Sequence, residues 1–291
     1  MNIMTKKPDN KVKRRASLSA SDNKKKKQHT ANVETQRPKK PFYRRSVLIP
    51  QAERWQEDLP VQWLEQDVEP NAIWLNEKND IWLEIPRYEN QISWGCGDIF
   101  AFFSVPFILF FLICPFISGM DIITFLISFI GFVFFLSFFK LLIRMTYHTP
   151  RGTPVRLNRK RQKVYIYEHH RSSWNPWIDW PVEVRVFNWD EVRGEITYEA
   201  GRYNQGYQLH GAVCQPGTSH VRERFALTWT VGDKEALREL WCYCCHYMQH
   251  RPVPETARFA EHPQQWGHIH WPEALDVESR TAPNNDSTAG V

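Results

Sequence analysis

The chain has 291 residues, enough for one large or two modest domains, and its mean hydropathy of −0.51 is typical of a water-soluble protein. Its net charge of +5 hides a division: residues 1–50 carry fifteen Lys and Arg against three carboxylates, which is +12 and leaves −7 for the remainder. Six cysteines (Cys96, Cys114, Cys214, Cys242, Cys244, Cys245) have no framework spacing, and three crowd one predicted helix. That pattern excludes a disulfide scaffold and points to reduced thiols in the cytosol.

Residues 1–48 are Lys, Arg, Ser, Asn and Thr with few apolar side chains, a composition that predicts a disordered basic tail. Such a tail suits loose contact with anionic lipid, with a specific protein contact as the alternative. Nucleic acid is not expected, because no aromatic residue is interleaved before Phe42 and no reader fold follows. Residues 49–98 turn acidic and tryptophan-rich. There, 72–75 and 81–85 flank a polar stretch, 76–80, and read as a β-hairpin.

Residues 99–118 and 122–143 are each about twenty residues of almost uncharged sequence, long enough at ~1.5 Å per residue to cross a ~30 Å hydrocarbon core. Gly119 and Asp121 break the run, so 99–143 reads as a transmembrane helical hairpin. No N-terminal stretch has the form of a cleavable signal peptide, so the hairpin is expected to be retained. The outer turn has no Lys or Arg, whereas Lys140, Arg144, Arg151, Arg156, Arg159, Lys160 and Arg161 follow the second helix. The positive-inside rule then puts both termini in the cytoplasm. Trp94 and Tyr147 sit where interfacial aromatic anchors are expected.

Residues 150–252 read as a cytoplasmic β-rich domain. Val155 and Leu157 alternate with polar neighbours, and a strand resumes over 163–167 after the basic turn 158–162. Further alternations run through Val182 to Val186, Val192 to Tyr198, Tyr207 to Val213 and Phe225 to Val231. The period then changes. Asp233 can cap a helix whose stripe is Leu237, Leu240, Trp241, Cys244, Cys245 and Met248, and Pro252 ends it. The fold class expected is a membrane-anchored α+β protein: a transmembrane hairpin plus an antiparallel meander or barrel of pleckstrin-homology-like layout, closed by one C-terminal helix. Residues 253–291 read as a loosely ordered tail.

Chemistry-bearing motifs are sparse. There is no nucleophile elbow, phosphate loop, His-Glu-x-x-His or dinucleotide fingerprint, and nothing gathers His169, His170, Asp179 and Asp190. No catalytic, cofactor or metal residue is assigned, and no enzyme is expected. Cys242, His246 and His250 share a helix face with no second ligand-bearing element, so Cys244 and Cys245 read as core fillers. His268 and His270, between Trp266 and Trp271, read as a segment that docks through its indoles. The segment 174–181, WNPWIDWP, is the most unusual: Trp174, Trp177 and Trp180 form either a recognition platform for a protein partner or a lid over the barrel mouth. Arg156, Arg159, Lys160, Arg161 and Lys163, close in sequence to the bilayer, are candidate lipid contacts.

The hydrophobic hairpin, the segment 149–167 (TPRGTPVRLNRKRQKVYIY), the Trp-rich loop, the strands and the closing helix together resemble an uncharacterised family of Gram-negative inner-membrane proteins. Its genes are often found near type VI secretion and Rhs toxin cargo. The resemblance spans residues 72–249, is most specific over 155–167, and transfers no functional residue. It implies a multi-pass inner-membrane protein linked to interbacterial antagonism, most simply an immunity protein whose partner is a toxin effector. A membrane-tethered adaptor or chaperone that loads an effector is the alternative. A cytoplasmic-face lipid-binding module is the reading the barrel layout adds.

Overall fold

A computed structural model describes residues 45–88, 96–117, 119, 121–172, 174–201, 205–262 and 268–283. The expectations placed on residues 1–44, Trp94 and Trp266 lie outside the described residues. Alternation of apolar and polar side chains yields nine strands among those described. These are β1 (Trp55–Asp58), β2 (Glu77–Lys78), β3 (Trp82–Tyr88), β4 (Gly152–Asn158), β5 (Lys163–His169), β6 (Val182–Asn188), β7 (Val192–Ala200), β8 (Gln205–Cys214) and β9 (Val221–Ala226). Four α-helices accompany them among the described residues: α1 (Cys96–Ile117), α2 (Ile122–Ile143, continued by a π-helical turn, Arg144–His148), α3 (Lys234–Met248) and α4 (Glu273–Arg280).

The strands hydrogen-bond as two antiparallel sheets, ordered β2-β3-β4-β5-β6 and β1-β7-β8-β9. The expected barrel is therefore two separate ladders: the chain leaves β6 through a single helical turn, Trp189–Glu191, and enters the second sheet rather than pairing back on the first. Leu83, Ile85, Val155, Leu157, Val164 and Ile166 from one sheet meet Val192, Ile196, Leu209 and Val213 from the other in one core. α3 completes it, with Asp233 accepting from the Glu235 amide as N-cap and the predicted stripe, Leu237 to Met248, wholly buried.

Two arginines, one buried and one partly buried, tie the sheets together at one edge. Arg87 of β3 donates to the carbonyls of Thr153, Tyr167 and Ala226, so a single guanidinium spans β3, β4, β5 and β9. Burial pulls its pKa down to about 10, which leaves it charged at neutral pH. Arg185 of β6 pairs with Glu168 and Glu223.

Three sequence expectations change. The strand read over Phe225 to Val231 lies earlier, as β9 over Val221–Ala226, and beyond it only Val231 keeps a bridge, to Tyr207. The hairpin at 72–85 has its first strand at Glu77–Lys78, inside the stretch read as loop, because Asn79 Oδ1 accepts from the amides of Ile81 and Trp82 and tightens the turn there. Ala72 and Ile73 are instead buried, and their carbonyls accept from Arg258 and Phe259. The region 253–291, read as loosely ordered, contains α4, whose Asp276 and Glu278 dock on the outer face of the five-stranded sheet.

The helical hairpin is inserted between β3 and β4, which pair through Trp82↔Asn158 to Tyr88↔Gly152. α1 and α2 pack on each other through rings such as Phe107 on Phe135, while Phe102, Phe116, Ile122 and Phe134 project outward. Both helices are long and apolar enough to cross a membrane.

Candidate functional site

Strand register decides what lies next to the helical hairpin. β3 ends at Tyr88 opposite the start of β4 at Gly152, and β5 ends at His169 opposite the start of β6 at Val182. The 170–181 loop therefore leaves the sheet at the end from which the two apolar helices emerge. The basic turn between β4 and β5 is at the opposite end, with Asn158 opposite Lys163. Seven residues of strand at ~3.3 Å each place it roughly 20 Å away.

The five basic candidates are thus close to the hairpin in sequence only. Arg156 is 1% exposed: its guanidinium bonds Glu84 on the neighbouring strand and Asp276 and Ser279 of α4, with the Trp271 ring 4.1 Å away. Lys163 pairs with Glu278, and Arg159 with Asp80. Arg161 donates to the carbonyls of Thr281 and Ala282. Lys160 lies in the same turn, its amide held by Asn158 Oδ1. Four of the five side chains are engaged by carboxylates or carbonyls of the chain itself, chiefly in the C-terminal segment. No local sequence signal foretells this, because the partners lie 72 and 79 residues upstream (Glu84, Asp80) or some 120 residues downstream.

The three tryptophans separate. Trp180 is 8% exposed, stacked under the Arg144 guanidinium at 4.3 Å and edge-on to His169. Trp177 is 57% exposed and reaches α2, where its Nε1 donates to Ser137 Oγ at 3.2 Å and Lys140 Nζ lies 3.8 Å over its ring. Trp174 is 92% exposed. Arg144, just past α2, donates from one nitrogen to the carbonyls of Pro176 and Ile178 at 2.6 and 2.8 Å. The loop is closed from within: Asn175 Oδ1 accepts from the Trp177 amide, Ser172 Oγ from the Asn175 amide, and the Pro181 carbonyl from the His170 amide.

Beside the loop a cleft of about 250 Å³ is lined by Arg87, Arg151, Glu168, His169, His170 and Arg171 among others. His170 Nε2 is 2.8 Å from Glu183, and burial together with neighbouring cations holds His169 below the ordinary imidazole range. A second cleft, about 470 Å³, lies between the sheets by His210 and Arg224. Asp179 and Asp190, the other sequence candidates for acid-base work, line neither.

On α3, Cys242 Sγ donates to the Val68 carbonyl at 3.1 Å, and Cys244 and Cys245 are fully buried in the core. Burial raises these thiols, Cys242 to about 11 and Cys244 to about 12, so all three stay protonated at neutral pH. Among the described residues no three His, Cys, Asp or Glu side chains converge as a metal site. His270 lies 6.0 Å from His268, ring to ring, and the neighbouring Trp271 packs edge-on against Tyr167.

Residues 132–271, just under half of the chain, match the model of a family described as a family of unknown function (DUF6708). The match begins within α2, runs through β4 to β9 and α3, and ends at Trp271, so it includes the loop and its contacts with α2. No curated protein and no solved structure matches.

Proposed function

We propose that this chain is a non-enzymatic binding protein of a bacterial inner membrane, multi-pass, with both termini in the cytoplasm. In this reading the helical hairpin is the anchor, and the two sheets with α3 form a pleckstrin-homology-like module that presents its surface to a protein partner. The observation that supports the anchor is the exposure of its rings and branched chains, such as Phe134 at 63%, all along both helices. A core helix of a soluble protein buries such side chains. The cationic flank of Lys140, Arg144 and Arg151 against an outer turn without Lys or Arg supports the orientation.

The partner class follows from the resemblance to inner-membrane proteins encoded near type VI secretion and Rhs cargo. The chain acts as an immunity protein that binds a cognate effector at the cytoplasmic face and blocks it without turnover. Competition assays test this: a strain lacking the gene is expected to be killed by its secreting parent and rescued by a plasmid copy. A deletion strain that resists its parent but no longer attacks others rejects immunity and supports the effector-loading adaptor instead. Alkaline phosphatase fusions test the topology separately, with activity expected after Gly119 and not after Gln249.

A further inference from the structure

We infer that the loop carrying Trp174, Trp177 and Ile178 is a third membrane-contacting element, seated in the phospholipid interface at the cytoplasmic ends of α1 and α2. The inference rests on the hairpin crossing a bilayer, and goes beyond it by assigning the loop's occupant.

Depth is the first argument. Ser137 lies fifteen residues into α2, which is about 22 Å from Ile122 at ~1.5 Å per residue, so a ~30 Å hydrocarbon core entered at Ile122 extends about 8 Å past it. Trp177 Nε1 is hydrogen-bonded to Ser137 Oγ. An indole held between that level and Lys140, about 27 Å along α2, lies in the outermost part of the hydrocarbon core, directly below the headgroup boundary where tryptophan is enriched. By the same measure Lys140 is about 27 Å and Arg144 about 33 Å along α2, so they bracket the edge of the hydrocarbon core, and their long side chains reach from there towards the lipid phosphates.

The backbone supplies an independent argument. Irregular chain at membrane depth is tolerated only where its polar groups are satisfied within the protein. Arg144 takes two of the loop's carbonyls, Asn175 and Ser172 side chains take two of its amides, and Pro176 and Pro181 have no N–H to satisfy. The same segment turns Trp174, Trp177 and Ile178 outward. Backbone groups tied inward with Trp174, Trp177 and Ile178 outward is the arrangement a lipid-facing loop requires, and the exposed carboxylate of Asp179 marks the part of the loop that faces the headgroups and water.

Photocrosslinking tests the assignment on the full chain in proteoliposomes of phosphatidylethanolamine and phosphatidylglycerol. p-Benzoylphenylalanine is placed in turn at position 174, at Phe134 on the outer face of α2, and at Lys160 in the distant basic turn. Adducts with phospholipid are read by mass spectrometry. The expected result is lipid adduct at position 174 within about threefold of that at 134 and at least tenfold above that at 160. Lipid adduct at 134 with only the level of 160 at 174 overturns the loop assignment and leaves the anchor standing. A protein adduct in cells in place of lipid at 174 also overturns it, and assigns the loop to a protein partner. Absence of lipid adduct at 134 overturns the anchor and the loop together.

Discussion

Replacing Arg156 by Met isolates the strongest electrostatic commitment in the soluble part. The guanidinium is almost wholly buried, and it neutralises Glu84, itself 11% exposed at the side chain, together with Asp276, which is one-third exposed. Met fills most of the volume, so the loss is chiefly the charge. Glu84 is then left in the protein with the Asn76 amide, 2.8 Å away, in place of a cation. Removing one member of a buried pair costs about 3–5 kcal/mol, and for a domain of this size that corresponds to a drop of order 10 °C in melting temperature. The double variant Glu84→Gln with Arg156→Met removes both charges and is expected to recover most of that loss. Asp276→Asn touches only the exposed rim and is expected to cost about 1 kcal/mol or less. Thermal unfolding of the full chain in lipid nanodiscs, followed by intrinsic fluorescence, reads all three. Hydrogen exchange over 268–283 reports whether α4 stays docked. A melting temperature for Arg156→Met within ~2 °C of the parent refutes the reasoning, since 3–5 kcal/mol corresponds to at least ~6 °C. A double variant as unstable as the single one refutes it as well.

Gly194→Ala is expected to lower stability by about 1–3 kcal/mol, because a Cβ there meets the Trp241 ring at 2.7 Å, and thermal unfolding checks it. His210, whose Nε2 is 3.1 Å from Gln208 Oε1, is held at a pKa of about 4 by burial and secondarily by Arg224. The folded state therefore refuses a proton that the unfolded chain accepts below about pH 6.5, so stability is lost as pH falls from 6.5 towards 4, by up to about 3 kcal/mol. His210→Gln is expected to flatten that part of the pH profile of unfolding, and an unchanged profile contradicts the assignment. In the native protein a membrane-impermeant maleimide is expected to label the exposed Cys96 and none of Cys242, Cys244 and Cys245. Labelling of the α3 cysteines at a comparable rate, mapped by peptide mass, shows that α3 is not the buried element described.

Much of this architecture was legible from periodicity. α2 occupies 122–143 as read, and α1 begins three residues before the expected 99, because both follow from long uncharged runs bounded by Gly119 and Asp121. The α3 stripe and its Asp233 cap follow from 3.6-residue spacing and a capping side chain, and β4 to β8 from two-residue alternation. These are local signals, carried by neighbours within a turn or a strand.

What the sequence alone could not decide was which distant groups meet. β1 is only four residues long and is recruited by the edge of β7, and α4 is held by Arg156, Asn158, Lys163 and Tyr165 rather than by its own helical tendency. The basic turn looked membrane-proximal because it follows the hairpin in the chain, but an antiparallel ladder carries it a full strand length away. The tryptophan loop, further along in sequence, is brought back to α2 by the β5–β6 register. Sequence patterns report the face a residue takes within its own element, and only strand register and packing determine which elements share an end.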